Sequence, residues 1–381
     1  MNARLRRLGG VLTALAAGAA LAACSGPNVD LTAGGPNTVD PSCTKTTKVK
    51  VVLQWVAQSQ FAGYYAAKDR GFYGKECLQV TIQEGGVNVV PQQVLASGNA
   101  DFAVSHVTKT MASRAQGADL VNISQIFQRG AYLQVSWKDT GIARLQDLKG
   151  KRVGSWGFGN DLVLRAASAA SGVALDRDAK VVQQPFDMSL LLKREIDAAQ
   201  AKTYNEYAQL LETTNPRTGE LYQPSDFSVI NLQDAGFTSL EDGIYARGGT
   251  LKDKAAQDVA VRFLKATMRG WVYCRDRFDD CVDVVLNNGA ALGKGHMTWS
   301  LNEVNKLIWP SPQGLGHLDP KAWKQTLDIA RGGGVLKADP GAGAYRTDLS
   351  ERAMSGLKAE GVDVTGASYE PRRVTVTPGG K

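Results

Sequence analysis

The stretch "LASGNADFAVSHVT", Leu95–Thr108, reads as a helix end, a tight turn, an acid and then a buried strand of small residues. It lies without gaps on a second stretch, "LLKREIDAAQAKTY", Leu191–Tyr204. Leu95 falls on Leu191, Asp101 on Asp197 and Ala103 on Ala199. The echo implies two related α/β lobes. The segments that follow the two strands, Ser105–His106 and Thr203–Glu206, should then occupy equivalent places at the strands' carboxyl ends. Open α/β sheets bind their ligands there.

Outward from this pair, strand and helix patterns alternate. "KVKVVLQ" (Lys48–Gln54) reads as a buried strand, followed by helix from about Ser59 to Arg70 with Gly71 as its stop. Leu78–Glu84 is the next strand, and "VVPQQVLASGNA" a helix with Pro91 in its first turn. "ADFAVS" is the third strand. The alternation predicts parallel, doubly wound sheets. A second lobe is expected after "LQVSWKD" (Leu133–Asp139), with strands in "GKRVGSW", "AKVVQQ", "IDAAQAK" and "SVINLQDAG". "DGIYAR" (Asp242–Arg247) reads as the return crossing. Helices are predicted at 252–276, 279–287, 300–308, 320–332 and 347–359, packed on the first lobe. The expected organisation is leader 1–23, tether 24–46, lobe 1 over 47–137 and 242–366, lobe 2 over 138–241, and a tail over 367–381.

The leader has a basic start (Arg4, Arg6, Arg7), then a short apolar run from Leu8 to Ala23 and Cys24. This is the pattern of a secretory signal. "LAAC" (Leu21–Cys24) resembles the lipobox of bacterial lipoproteins, which implies cleavage before Cys24 and a lipid on its sulfur. Removing residues 1–23 takes away three Arg and no acid, so the formal charge falls from +7 to +4. No basic run interleaved with aromatics stands out, so nucleic acid is not an expected partner. Cys43, Cys77, Cys274 and Cys281 remain, an even number in an exported chain, which suggests disulfides. Three pairings are open. The favoured one joins Cys43 to Cys77, tying the tether to the second strand, and Cys274 to Cys281, stapling two consecutive helices. No close CxxC and only three histidines (His106, His296, His317) argue against a metal.

Six of the nineteen residues from Trp55 to Tyr73 are aromatic in a chain that is 7% aromatic, with Gln54, Gln58, Ser59 and Gln60 among them. A core wants rings but has little use for so many neutral amides; a pocket for a flat polar molecule wants both. Trp55, at a strand exit, is a stacking candidate, and Phe61 and Tyr64 are candidates to reach the same cleft, whereas Tyr65 is assigned to core. Ser105 and His106 follow the third strand, and His106 could donate to a ring nitrogen or carbonyl. "GSWGFGND" (Gly154–Asp161) offers Trp156 and Phe158 as a second wall, glycines that let backbone approach a ligand, and Asn160 as N-cap or contact. "KTYNEY" (Lys202–Tyr207) offers Tyr204, Asn205 and a carboxylate, Glu206, that can accept from a heterocycle's edge. No Gly-x-Ser-x-Gly elbow is present, so hydrolysis has no support.

"QFAGYYAAKDRGFY", "VLASGNADFAVS", "DLKGKRVGSWGFGN" and "EIDAAQAKTYNEY" follow in order the landmarks of the periplasmic binding proteins related to thiamine pyrimidine synthase and to sulfonate and taurine binders. The resemblance covers roughly residues 48–335. "QFAGYY" and "TYNEY" resemble the branch that binds thiamine-precursor pyrimidines or riboflavin. It implies a two-lobed type II binding fold and a monomer without cofactor. It also implies a small-molecule ligand delivered to an ABC permease and its ATPase, with the chain held at the membrane through Cys24. Two other readings compete. A synthase-like enzyme is disfavoured because its cysteine-rich motif is missing, although His106 and Lys202 imitate its active pair. A sulfonate or taurine binder would want an Arg that the loops 54–65, 105–108 and 156–160 do not contain.

Overall fold

In a computed structural model, the structure describes residues 38–157 and 159–381. Cys24, Phe158 and the leader lie outside the described residues. The chain builds two five-stranded sheets. Strands β1 (Thr47–Val52), β2 (Leu78–Gln83), β3 (Phe102–Ser105) and β4 (Leu120–Gln125) open the first lobe. Strands β5 (Tyr132–Trp137), β6 (Arg152–Ser155), β7 (Lys180–Gln183), β8 (Ala198–Lys202) and β9 (Phe227–Asn231) make the second, and β10 (Gly243–Arg247) returns to the first. The orders are β2-β1-β3-β10-β4 and β7-β6-β8-β5-β9, so β3 and β8 hold the same central place.

The sheets are mixed, a departure from the parallel pattern expected. β10 runs antiparallel to β3 and β4, and β5 antiparallel to β8 and β9. Each is the strand that has just crossed between lobes, and it enters its sheet from the cleft end. The lobe boundary also moves. β5 had been placed at the end of lobe 1, but all six of its residues are buried in the second sheet, and the first crossing falls at residues 126–131. Two consecutive strands buried throughout carry no alternation to tell which sheet owns them.

Lobe 1 has the larger core, built around the helix Lys254–Asp276. That helix lies against Ala62–Asp69 at a spacing only glycine permits: a Cβ on Gly270 would sit 2.0 Å from the Gly63 carbonyl oxygen, and one on Gly63 2.3 Å from the Trp271 ring. The remaining helices are Phe278–Asn288, Lys294–Ile308, Pro320–Gly332 and Asp348–Ala359. Lys294–Ile308 starts six residues before the predicted 300, through "GKGH", because Gly295 packs on residues 377–381; a Cβ there would lie 2.1 Å from Thr377 Oγ1. Pro320–Gly332 does not pack on lobe 1 alone: Trp323, Leu327 and Ala330 enter the lobe 1 core and Ile329 that of lobe 2. The tail 367–381 is folded back, with Arg372 N–H donating to Asn302 Oδ1 at 2.9 Å and Gly379 N–H to the Glu212 carbonyl at 2.9 Å. Disulfides join Cys43 to Cys77 and Cys274 to Cys281. Among the described residues no helix is long and apolar enough to cross a membrane.

Candidate functional site

A cleft of about 710 Å³ opens between the lobes, at the carboxyl ends of β1, β3, β6 and β8. Trp55, His106, Trp156, Asn160, Tyr204, Asn205 and Glu206 all line it. Phe61 and Tyr64 do not. Both rings are buried in the lobe 1 core, Tyr64 edge-on to Trp271, because the turn at Ser59–Phe61 carries this face of the next helix inward. Ser105 is likewise behind the wall, held by a 2.6 Å bond from Gln92 Nε2, and Gln92 takes the lining position. The glycines of "GSWGFGND" serve the turn more than a ligand. A Cβ on Gly154 would meet Gln184 Oε1 at 2.4 Å, and Gly157 and Gly159 have φ of +61° and +78°. Asn160 binds the Gly157 carbonyl, while Asp161 takes the N-cap.

The mouth is aromatic. Trp55 from lobe 1 meets Phe186 of lobe 2 at 5.0 Å between centroids, and Phe186 stacks on Trp156 at 6.0 Å and 26°. Phe186 lies in the loop after β7, where no periodic pattern points to it. The Trp156 indole N–H is buried without a partner, and its backbone N–H donates to Gln200 Oε1 at 2.7 Å.

The floor is polar and largely self-paired. Gln54 Oε1 accepts the His106 backbone N–H at 3.0 Å, and its Nε2 lies 2.8 Å from His106 Nε2. This fixes the imidazole's tautomer, since an amide whose oxygen is committed must offer its N–H to that ring nitrogen. Burial, then the nearby Lys202 charge, hold His106 well below its ordinary pKa, so it is neutral. Lys202 Nζ donates to Glu241 Oε2 at 2.5 Å and sits 3.1 Å above the Tyr132 ring. Glu241 Oε1 also accepts the Ala131 N–H at 2.6 Å, which ties both crossings together. Asp242 accepts from Gln60 Nε2 at 2.7 Å, its other oxygen is buried unpartnered, and burial raises it to about 6. Glu206 accepts from the Lys202 N–H at 2.9 Å and Asn205 Nδ2 at 2.8 Å, and burial pushes it up too. Asn205 Oδ1 meets His296 Nε2 at 2.9 Å, and His296 Nδ1 meets Glu212 at 2.8 Å, so a residue of the returning helices supports this corner.

Sequence reasoning missed Phe186, Lys109, Tyr132 and Gln92 as lining residues, and left Lys202 out of the binding set. Lys202 was within reach: continuing the gap-free match places it opposite His106. Lys109 follows one helical turn after His106, on the face that a helix starting there presents. Among the described residues no group of His, Cys, Asp and Glu could hold a metal ion.

A sequence model described as NMT1/THI5 like matches residues 58–279, more than half of the chain. The chain belongs to that family. Among similar proteins, the riboflavin-binding protein RibY of Chloroflexus aurantiacus is 23% identical over 330 residues, 84% of this chain and 90% of that protein. The formylaminopyrimidine-binding protein of Halalkalibacterium halodurans is 20% identical over 242 residues, 63% and 70% of the two chains. A 4-amino-5-hydroxymethyl-2-methylpyrimidine phosphate synthase of Legionella pneumophila is 28% identical, but over 125 residues, 32% and 40% of the two chains. The fold is that of periplasmic binding proteins. A Bordetella bronchiseptica structure superposes with a TM-score of 0.61 at 16% identity, covering 82% of this chain and 98% of that one. The alkanesulfonate-binding protein SsuA of Xanthomonas axonopodis pv. citri, bound to MOPS, does so with 0.55 at 13%, covering 80% and 100%. RibY and the formylaminopyrimidine-binding protein match widely, which supports a solute-binding role, and the synthase match is partial; the fold itself also carries an enzyme, since the desulfurization enzyme DSZB superposes with a TM-score of 0.54 at 12% identity over 81% of this chain and 99% of that one.

Proposed function

We propose that the protein captures a small flat heterocycle between its lobes and performs no chemistry on it. The ligand class is that of thiamine-precursor pyrimidines (hydroxymethylpyrimidine or formylaminopyrimidine) or riboflavin. One observation carries the reading: tryptophans from opposite lobes flank the mouth of a cleft whose floor is polar. Ring faces would be removed from water at the mouth while edge atoms meet side chains below. Trp55, Trp156, His106, Asn160, Tyr204, Asn205 and Glu206 form the binding set, with Phe186 between the two tryptophans. The protein acts as the binding component of an ABC importer, a monomer delivering its ligand to the permease and ATPase. It is held outside the cytoplasm by a lipid on Cys24; Cys24→Ala protein that still partitions with membranes would end the anchoring part.

The test is calorimetric titration with hydroxymethylpyrimidine, formylaminopyrimidine, riboflavin and taurine. Trp55→Ala should weaken the bound heterocycle by about 1–3 kcal/mol through lost burial and stacking. Tight taurine binding with silence from the rings would remove the heterocycle and leave the transport role. Turnover of any of these molecules would remove the binding role itself.

A further inference from the structure

One charged group lining the cleft has no direct partner among the described residues, although it feels the charge of the buried Asp242. Lys109 lines the cleft from the first turn of the helix Val107–Ala115. Its amine makes no hydrogen bond or ion pair among the described residues, whereas the neighbouring Lys202 is paired with Glu241. One turn earlier, His106 accepts at Nε2 from Gln54, so its ring proton sits on Nδ1, for which no acceptor is found among the described residues. The two carboxylates near that ring do not change this: Asp242 Oδ1 is 3.4 Å and Glu241 Oε2 3.8 Å from Nε2, and neither makes a hydrogen bond with it. The other lobe 1 amides at the floor are more nearly spent, Gln54 and Gln60 at both ends and Gln58 at its nitrogen.

Building on the heterocycle reading, we propose that Lys109 and His106 select a ring edge carrying hydrogen-bond acceptors, an oxo-substituted heterocycle over an amino-substituted one. An ammonium enclosed by a ligand that offers it no acceptor loses water and gains nothing, and an exocyclic amine would offer only more N–H. A ring carbonyl meets it with a charge-assisted bond, the stronger kind. Acceptors are also present, Gln58 Oε1 and Gln92 Oε1 on lobe 1 and, across the cleft, the Glu206 carboxylate with one protein N–H on each oxygen, and they suit the N–H that lies beside carbonyls in such rings. Burial and Lys202 lower Lys109 to about 8, which leaves it mostly protonated at neutral pH.

A pair of matched probes isolates the edge from ring size: pteridine-2,4-dione and 2,4-diaminopteridine, titrated at pH 7 against wild type, Lys109→Met and Lys109→Arg. The dione should bind wild type about tenfold or more tighter than the diamine, the worth of one charge-assisted bond. Lys109→Met should bring the two close to parity, and Lys109→Arg should restore part of the preference. Neither variant should unfold more easily than wild type, because the Lys109 amine makes no hydrogen bond or ion pair among the described residues; burial lowers its pKa, so Lys109→Met should be the more stable at pH 7. Equal binding of both probes, tighter binding of the diamine, or a preference unmoved in Lys109→Met would overturn this inference alone. If both probes fail together with riboflavin and the pyrimidines, the heterocycle reading falls and this inference with it.

Discussion

Asp101 and Asp197 sit at matching points of the two lobes. Each carboxylate takes a backbone N–H from the strand beside its own, Lys50 of β1 at 2.8 Å and Arg152 of β6 at 2.7 Å. Each also sends its own N–H back to the same residue, at 2.9 and 2.8 Å. Five residues later the likeness ends. His106 is neutral and locked to Gln54, while its counterpart Lys202 is a buried cation answered by Glu241. The acids that begin the strands secure the two sheets and repeat. The residues that end them face the cleft and have diverged, so the sameness belongs to folding and the difference to the ligand.

The largest effect should come from breaking the charged half. Glu241→Leu strands the Lys202 ammonium and the Ala131 N–H, and should cost about 3–5 kcal/mol in chemical unfolding at pH 7. His106→Leu deletes a neutral group and should cost less, about 1–2 kcal/mol. Equal losses would show that the two positions are not chemically distinct.

Next is Asp242, beside both. Its folded pKa of about 6 lies above the ordinary 3.8, so its contribution is fully present below 3.8 and lost as pH rises through about 6. The gap corresponds to about 3 kcal/mol of burial cost at neutral pH. Asp242→Asn keeps an acceptor for Gln60 and should stabilise by about 1–3 kcal/mol at pH 7 and hardly at all at pH 4. A gain independent of pH would point to packing.

The smallest effect tests the sameness. Asp101→Ala and Asp197→Ala should each cost about 1–2 kcal/mol and agree within a few tenths, since each removes one N–H partner. Asp197 also pairs with Arg152, but that side chain is 41% exposed and adds little. A much larger loss in lobe 2 would mean the exposed pair matters after all.

Much of the fold was legible because helix stops, strand patterns and the echo are local signals. Gly71 at φ +68°, Pro91 at a helix start and the paired "NADFA" and "EIDAA" turns all act within a few residues. The ownership of β5 was not legible, because a fully buried strand looks the same in either sheet. At the site, strand exits could be read and side-chain direction could not. Phe61 and Tyr64 share a ring-rich stretch with Trp55, yet one 3₁₀ turn sends them to the core. Phe186 and Gln92 are brought in by loops and tertiary contacts that no spacing records.

The ring stack at the mouth also makes the protein its own optical probe. Of seven tryptophans, only Trp55 and Trp156 line the cleft, each within ring contact of Phe186, a residue that neither absorbs nor emits in the tryptophan band. The other five do not line the cleft, so a solute seated there would touch none of them. With a solute that does not absorb in the tryptophan emission band (a pyrimidine, not riboflavin, which would quench distant indoles by energy transfer), the contact signal comes from this mouth. Replacing one indole at a time with phenylalanine would apportion it between the lobes.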